Sequence, residues 1–154
     1  MTLEEELDGL EDYIYLQQMR FDGRITVEKQ ILVDPARARL PSFTLQPVIE
    51  NAFSHGLKAC EEGGRILLRV WRQGRMLYVT VADNGKGMTE EELAALSEKM
   101  RQSEQTGKSI GLGNIFRRVS MLYPDTGKMQ VFSRAGHGTV IRFEIPQGGE
   151  EERA

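Results

Sequence analysis

The sequence predicts an α+β fold: a two-layer α/β sandwich in which a mixed sheet of about five strands carries helices on one face. Three observations predict it. Helical and extended patterns alternate through the first half of the chain, and the second half closes in antiparallel hairpins. The clearest strand, "MLYVTVAD", sends Leu77, Val79 and Val81 to one side and Met76, Tyr78 and Thr80 to the other, so only one sheet face needs covering. The length, 154 residues, suits one domain with a real core.

Each element has its own signal. Residues 3–21 are helical, with Leu3, Leu7, Leu10, Ile14 and Met19 at mostly helical spacing. Residues 24–33, "RITVEKQILV", read as extended, and "DPARARLP" turns. Residues 42–60 form a second helix with Pro47 in its first turn, where a missing N–H costs nothing. Its apolar stripe is Leu45, Ile49, Ala52, Phe53, Gly56 and Cys60. Residues 65–83 form a hairpin turning at Gln73-Gly74. A short helix over 89–100 opens on Thr89 with Glu92 completing a capping box, followed by a polar loop, 101–109. A helix over 112–123 and a last hairpin over 128–146, turning at Gly136-His137-Gly138, complete the chain.

Composition narrows the function. The net charge of −3 gives no general reason to expect nucleic acid or an anionic membrane as partner. A lone cysteine, Cys60, rules out an internal disulfide and fits a reducing compartment. No apolar run approaches the roughly 20 residues a membrane span needs, and the start, "MTLEEELDGL", is too acidic for a signal peptide.

Four stretches carry chemistry. The strand parity of "MLYVTVAD" continues to Asp83, placing a carboxylate on the core face, which is costly unless something hydrogen-bonds to it. Thr139 has the same oddity in "GTVIRFEI", sharing parity with Ile141, Phe143 and Ile145. Two inward polar side chains make sense as the floor of a polar pocket between sheet and helices. On the 42–60 helix, Asn51, Ser54, His55 and Lys58 form a polar stripe with Glu50 at its edge, and Asn51 offers a hard oxygen suited to Mg²⁺. In "SIGLGNIFRR", Gly111 and Gly113 lie just ahead of a helix, where free N–H groups favour anions. The usual phosphate motifs fail: Gln102 stands where a Walker A loop needs its first glycine, and "GLGNIF" lacks the third glycine of a dinucleotide fingerprint.

Together, "PVIENAFSHG", "VADNGKGM", "SIGLGNI" and "GHGTVIRFEIP" resemble, in order, the N, G1 and G2 boxes and the closing strand of the Bergerat-type ATPases. With "LEEEL" and "QQMRFDGR" ahead of them, they are most similar to the ATP-binding domain of sensor histidine kinases of the YesM/LytS type. The resemblance implies an ATP and Mg²⁺ site. Asp83 would accept a hydrogen bond from the adenine amino group, with Thr139 supporting the base. Asn51 would bind Mg²⁺, and Glu50 and Asn51 would be the catalytic pair. Gly85, Gly87 and Met88 of the G1 box, and Gly111, Leu112, Gly113 and Asn114 of the G2 box, would line the nucleotide, with His55 touching phosphate. Residues 89–110 match the mobile ATP lid. Ser54 stands where relatives often carry Lys, and Pro47 where gyrase-like members place their water-activating Glu, so efficient hydrolysis is not expected.

The implied organisation is a connecting helix over 1–22, the ATP-binding domain over 23–147 and a tail over 148–154. These kinases phosphorylate a histidine near a motif such as "NPHFLYN", which this chain lacks. The expectation is therefore a catalytic module of a two-component kinase, monomeric and cytoplasmic by itself. Its partners would be a histidine-bearing dimerisation domain of a membrane-anchored parent and a downstream response regulator. Two alternatives remain: a free-standing serine kinase of the anti-sigma type, which normally opens on a strand, and a non-catalytic partner-binding module.

Overall fold

The computed structural model describes residues 1–56, 63–106 and 111–148. Helix α1 (Leu3–Arg20) starts at Thr2, whose hydroxyl accepts the Glu5 N–H, and carries Glu4, Glu5 and Glu6 in its first turn, where the helix dipole favours negative charge. Strand β1 (Ile25–Ile31) follows, then helix α2 (Leu45–Asn51), which runs into a π-helical turn, Ala52–Gly56. The remaining elements are β2 (Gly64–Gln73), β3 (Met76–Asp83), α3 (Glu90–Thr106), α4 (Leu112–Leu122), β4 (Lys128–Arg134) and β5 (Gly138–Pro146).

The five strands form one mixed sheet in the order β1-β2-β3-β5-β4. Only β1 and β2 pair in parallel; the other three pairs are antiparallel. Parity decides the layering. Ile66, Leu68 and Val70 of β2, Leu77, Val79 and Val81 of β3, and Ile141, Phe143 and Ile145 of β5 are all buried. They meet Leu45, Val48, Ile49, Ala52 and Phe53 from the α2 segment, Leu3, Leu10 and Ile14 from α1, and Ile115 and Val119 from α4 in one core. Burying a side chain of this size stabilises by about 1.5–3 kcal/mol, so the helices have one sheet face to cover. The other face carries Arg69 against Trp71, Trp71 stacked on Tyr78 and Arg142 over Tyr78. The two-layer expectation is met.

Some boundaries move. The first hairpin turns at Gly74-Arg75, because Gln73 still pairs with Met76. The predicted 89–100 helix continues to Thr106 through residues read as a polar loop. Met100, 5% exposed, packs into the core, and Arg101 just beyond it pairs with Glu98 at 2.9 Å. That box is present: the Thr89 N–H donates to Glu92 Oε1 and the Glu92 N–H to Thr89 Oγ1, both at 3.1 Å. The hydrogen bonds hold the Glu92 carboxyl below its ordinary pKa, with Lys86 adding to the effect. The regular helix predicted over 42–60 becomes a seven-residue α-helix and a π-turn. Lys58 and Cys60 lie outside the described residues.

Candidate functional site

The site begins where β3 and β5 end side by side. Asp83 and Thr139 are direct partners across this antiparallel pair, both on the core-facing side, as their parity predicts. Asp83 Oδ1 accepts the Gly85 N–H at 2.9 Å. Burial pushes the Asp83 carboxyl above its usual range, and backbone N–H groups of Gly85 and Thr139 pull it partly back. Thr139 is 8% exposed and its hydroxyl lies 2.8 Å from Ser133 Oγ.

Ser133 was not singled out from the sequence, yet it organises this corner. Its hydroxyl donates to the Gly138 carbonyl at 3.0 Å and accepts the Met88 N–H at 2.8 Å. One proton is thereby used, so Thr139 must be the donor in the Thr139–Ser133 bond. Thr139 is left with oxygen lone pairs, and Asp83 with its second carboxylate oxygen, as an acceptor pair at the cavity floor. Parity with Met129 and Val131 gave the signal for Ser133, but its importance rests on the β4–β5 register, which places it opposite Thr139.

The "DNGKGM" loop is clamped to the last hairpin. The Gly136 N–H donates to the Lys86 carbonyl at 2.7 Å. Gly87 has φ +66°, and a Cβ there would lie 2.0 Å from the Arg134 carbonyl oxygen. Gly138 has φ +101°, and a Cβ there would lie 1.9 Å from the Asp83 carbonyl oxygen. Both glycines are required by close backbone approach as well as by backbone conformation. Asn84 closes the other side: its side chain accepts the Arg65 N–H and donates to the Gly63 carbonyl.

A cavity of about 370 Å³ opens above this floor, within the size range of small-molecule sites. Of the predicted residues, Asn51, Asp83, Gly87, Met88, Leu112 and Thr139 line it together. Lys86, Glu92, Leu96 and Lys99 line it too and were not predicted. Their signal was weak: Lys86 lies in the loop after β3, and nothing in the sequence marks Glu92, Leu96 and Lys99 of the following helix as lining a cavity. The two lysines bring positive charge to a cavity that also holds Asp83 and Glu92.

The other predicted residues sit around the cavity. Gly85 contributes its N–H to Asp83 rather than a wall. Gly111 precedes α4 with φ +66° and open space beside it. Gly113 falls inside the first turn of α4, not ahead of it, and is buried; its N–H is still among the first four, which lack intrahelical partners. Asn114 is exposed. Arg118, one turn on, donates to the carbonyls of Ser42 and Phe43, bracing the loop before α2. Glu50 is exposed beside Asn51, and its charge, after burial, helps keep the Tyr13 hydroxyl above its usual pKa. The backbone of His55 lies in the π-turn, and its side chain is outside the described residues. His137 is exposed in the last hairpin turn.

Among the described residues no three His, Cys, Asp or Glu side chains cluster to hold a metal. A cation at Asn51 would therefore take one protein oxygen and complete its shell with ligand oxygens and water. Mg²⁺ fits this donor set, because it dehydrates reluctantly and keeps several waters.

The two-layer fold with a polar-floored cavity between the sheet and α2, α3 and α4 defines an ATP-binding class. A family model described as "Histidine kinase-, DNA gyrase B-, and HSP90-like ATPase" matches residues 42–149, and the chain belongs to that family. It is 30% identical over 146 residues to the sensor protein kinase HptS of Staphylococcus aureus, covering 95% of this chain. The chain spans 28% of the length of that relative. Among solved structures it is similar to the catalytic domain of the histidine kinase ThkA, with a TM-score of 0.63 at 19% identity, covering 96% of this chain and 94% of that one. The histidine kinase domain of the blue-light activated kinase EL346 of Erythrobacter litoralis has a TM-score of 0.57 at 22% identity, covering 86% and 56%. These likenesses show the fold. Among the described residues no helix is long and apolar enough to cross a membrane.

Proposed function

We propose that the chain is the ATP-binding catalytic module of a two-component sensor histidine kinase. It would deliver the γ-phosphate of Mg-ATP to a histidine on a separate helical domain of the same parent. The observation that carries this reading is the Asp83–Thr139 pair at the cavity floor, with Asn51 on the wall above it.

Each part has a physical role. Asp83 accepts from the exocyclic amine of adenine; guanine presents a carbonyl there, which a carboxylate repels. Thr139, with its proton spent on Ser133, accepts from a water or base donor beside Asp83. Asn51 holds Mg²⁺, which when bound would neutralise phosphate charge. The free N–H groups at the start of α4 face anions favourably, and Lys86 and Lys99 add long-range attraction. Gly85, Gly111, Gly113 and Asn114 shape the approach, and His55 adds a phosphate contact. Glu50, exposed next to Asn51, would meet an incoming acceptor imidazole.

The response regulator follows in the pathway, and the parent is a membrane-anchored sensor with this module on the cytoplasmic side. Residues 1–22 connect it to the dimerisation segment. The relatives named as sensor kinases support this reading, as does a ThkA structure in complex with the response regulator TrrA (TM-score 0.62, 20% identity, 98% of this chain and 42% of that one). The test is transfer in trans. Labelled ATP, this chain and the parent's helical segment should together yield acid-labile phosphate on the segment. Transfer should be weak, because separation lowers the effective concentration, and should vanish in Asn51→Ala. Phosphate on serine of an added protein, or none on the segment at any concentration while ATP binds, would refute the histidine-kinase reading.

A further inference from the structure

A buried carboxylate also lies outside the cavity, on α1. Glu6 of α1 is 5% exposed, among Leu3, Leu10 and Ile14 in the core. Its Oε1 accepts the Thr44 N–H at 2.8 Å and its Oε2 the Leu45 N–H at 3.4 Å. These two groups open α2. No local side chain caps α2, because the Thr44 hydroxyl donates to the Pro41 carbonyl. A seven-residue helix has little stability of its own. Its first-turn N–H groups need acceptors, and the positive end of its dipole favours a carboxylate. Glu6 supplies both from another helix, 38 residues away in sequence.

The loop ahead of α2 is held from its other side as well. Arg118 of α4 donates to the carbonyls of Ser42 and Phe43. Phe43 has φ +59°, an uncommon conformation for a bulky residue, and its ring is 62% exposed. Packing of the ring does not account for the conformation; two clamps, one on Phe43's carbonyl and one on the next N–H, do. Asn51 is the last residue of the α2 they fix. Further along, α1 and the residue that ends it touch the same segment again, with Tyr13 edge-on to Phe53 at 6.1 Å and Phe21 stacked on Phe53 at 6.0 Å.

We propose that Glu6 is a positioning residue for Asn51: through the start of α2 it sets where the metal-binding oxygen stands, so that the placement of α1 tunes the metal-dependent part of nucleotide binding and leaves the adenine part alone. This rests on the nucleotide reading above. The Asp83–Thr139 floor is built from β3, β4 and β5 and owes nothing to Glu6, so the two parts should separate.

The test uses the whole chain with Glu6→Gln, which keeps one acceptor, and Glu6→Leu, which keeps none. Calorimetric titrations with ATP are run with and without Mg²⁺, and with adenosine. Expected is a loss of roughly tenfold in the Mg²⁺-dependent gain in ATP affinity for Glu6→Leu, the scale on which a change remote from a site alters its binding. Glu6→Gln should lie between, and adenosine affinity should not change in either. An equal loss for adenosine and Mg-ATP, or an unchanged Mg²⁺ gain in both variants, would overturn the proposal. If Glu6→Leu does not fold, Glu6→Gln decides alone. A second readout needs no nucleotide: the side-chain amide NMR signals of Asn51 should shift in Glu6→Gln, while the Ser133 and Thr139 backbone signals stay. Unmoved Asn51 signals would overturn the positioning role. Wild-type chain that binds no nucleotide would instead overturn the ATP reading, leaving the Asn51 signals to decide the role of Glu6.

Discussion

Asp83 and Thr139 stand opposite each other at the ends of β3 and β5, and the Ser133 hydroxyl, 2.8 Å from Thr139 Oγ1, accepts the threonine's proton in a hydrogen bond and leaves Thr139 an acceptor beside the Asp83 carboxylate. A floor made only of acceptors selects a ligand edge that donates. This is the physical content of the adenine assignment, and it extends to pH.

Burial raises the Asp83 pKa, so the folded chain holds this proton more tightly than the unfolded chain. For the free protein, the contribution to stability is full below the unfolded value and is lost as pH rises through the folded one. Adenine has the opposite preference, because its amine needs the ionised carboxylate. ATP affinity should be full above the raised pKa and fall as pH drops through it, beginning at higher pH than an ordinary aspartate would allow. Affinity measured against pH, with Asp83→Asn as the variant lacking this titration, checks the point. Identical profiles for the two proteins would contradict it.

Ser133→Ala should leave the Met88 N–H without its partner and free Thr139 to rotate. An unpaired buried donor costs about 1–3 kcal/mol. The expected result is a fall of several degrees in melting temperature together with weaker ATP binding. A variant that melts lower but binds ATP as well as the wild type would show that Thr139 needs no orientation.

Gly87→Ala should be more damaging than its size suggests. The positive φ alone costs an alanine about 1–2 kcal/mol, and the Cβ overlaps the Arg134 carbonyl, a backbone group that cannot swing aside. Gly111→Ala shares the positive φ but meets open space. Thermal melts should therefore rank Gly87→Ala well below Gly111→Ala. Equal melting temperatures would mean that the loop is not clamped to the hairpin.

The chain by itself should not phosphorylate itself on histidine. Transfer needs an imidazole nitrogen in line with the γ-phosphate at near contact. His137 is exposed in the β4–β5 turn, where its N–H bonds back to Arg134. The backbone of His55 belongs to the π-turn that continues α2, directly after Asn51's segment. Incubation with labelled ATP should leave no acid-labile phosphate. Robust phosphohistidine mapped to either residue would falsify the separation of module and acceptor.

Much of this was legible in the sequence because strand parity is strict. One alternation in "MLYVTVAD" and one in "GTVIRFEI" put Asp83 and Thr139 on the right face without any knowledge of pairing. What parity cannot give is register, and that is where Ser133 was missed: it matters only because β4 pairs so that Ser133 meets Thr139. Contacts distant in sequence were likewise invisible. In sequence Glu6 is one of three first-turn acids, and only tertiary packing distinguishes it from the exposed Glu4 and Glu5. Arg118 has no partner that local sequence reveals, and the loop at 42–43 takes its guanidinium. The α3 end was missed because its last six residues, 101–106, are all polar or charged and carry no apolar period to mark a helix.

An acceptor floor at Asp83 should read adenine and reject guanine. Calorimetric titration of the chain with Mg-ATP and Mg-GTP, beside a folded Asp83→Ala variant checked by circular dichroism, tests it most directly. ATP should bind and GTP should not compete, and Asp83→Ala should lose ATP affinity by roughly ten- to a hundredfold, the worth of a charge-assisted hydrogen bond of about 1.5–3 kcal/mol. Equal affinity for ATP and GTP, or an Asp83→Ala variant that binds ATP as the wild type does, would contradict the account.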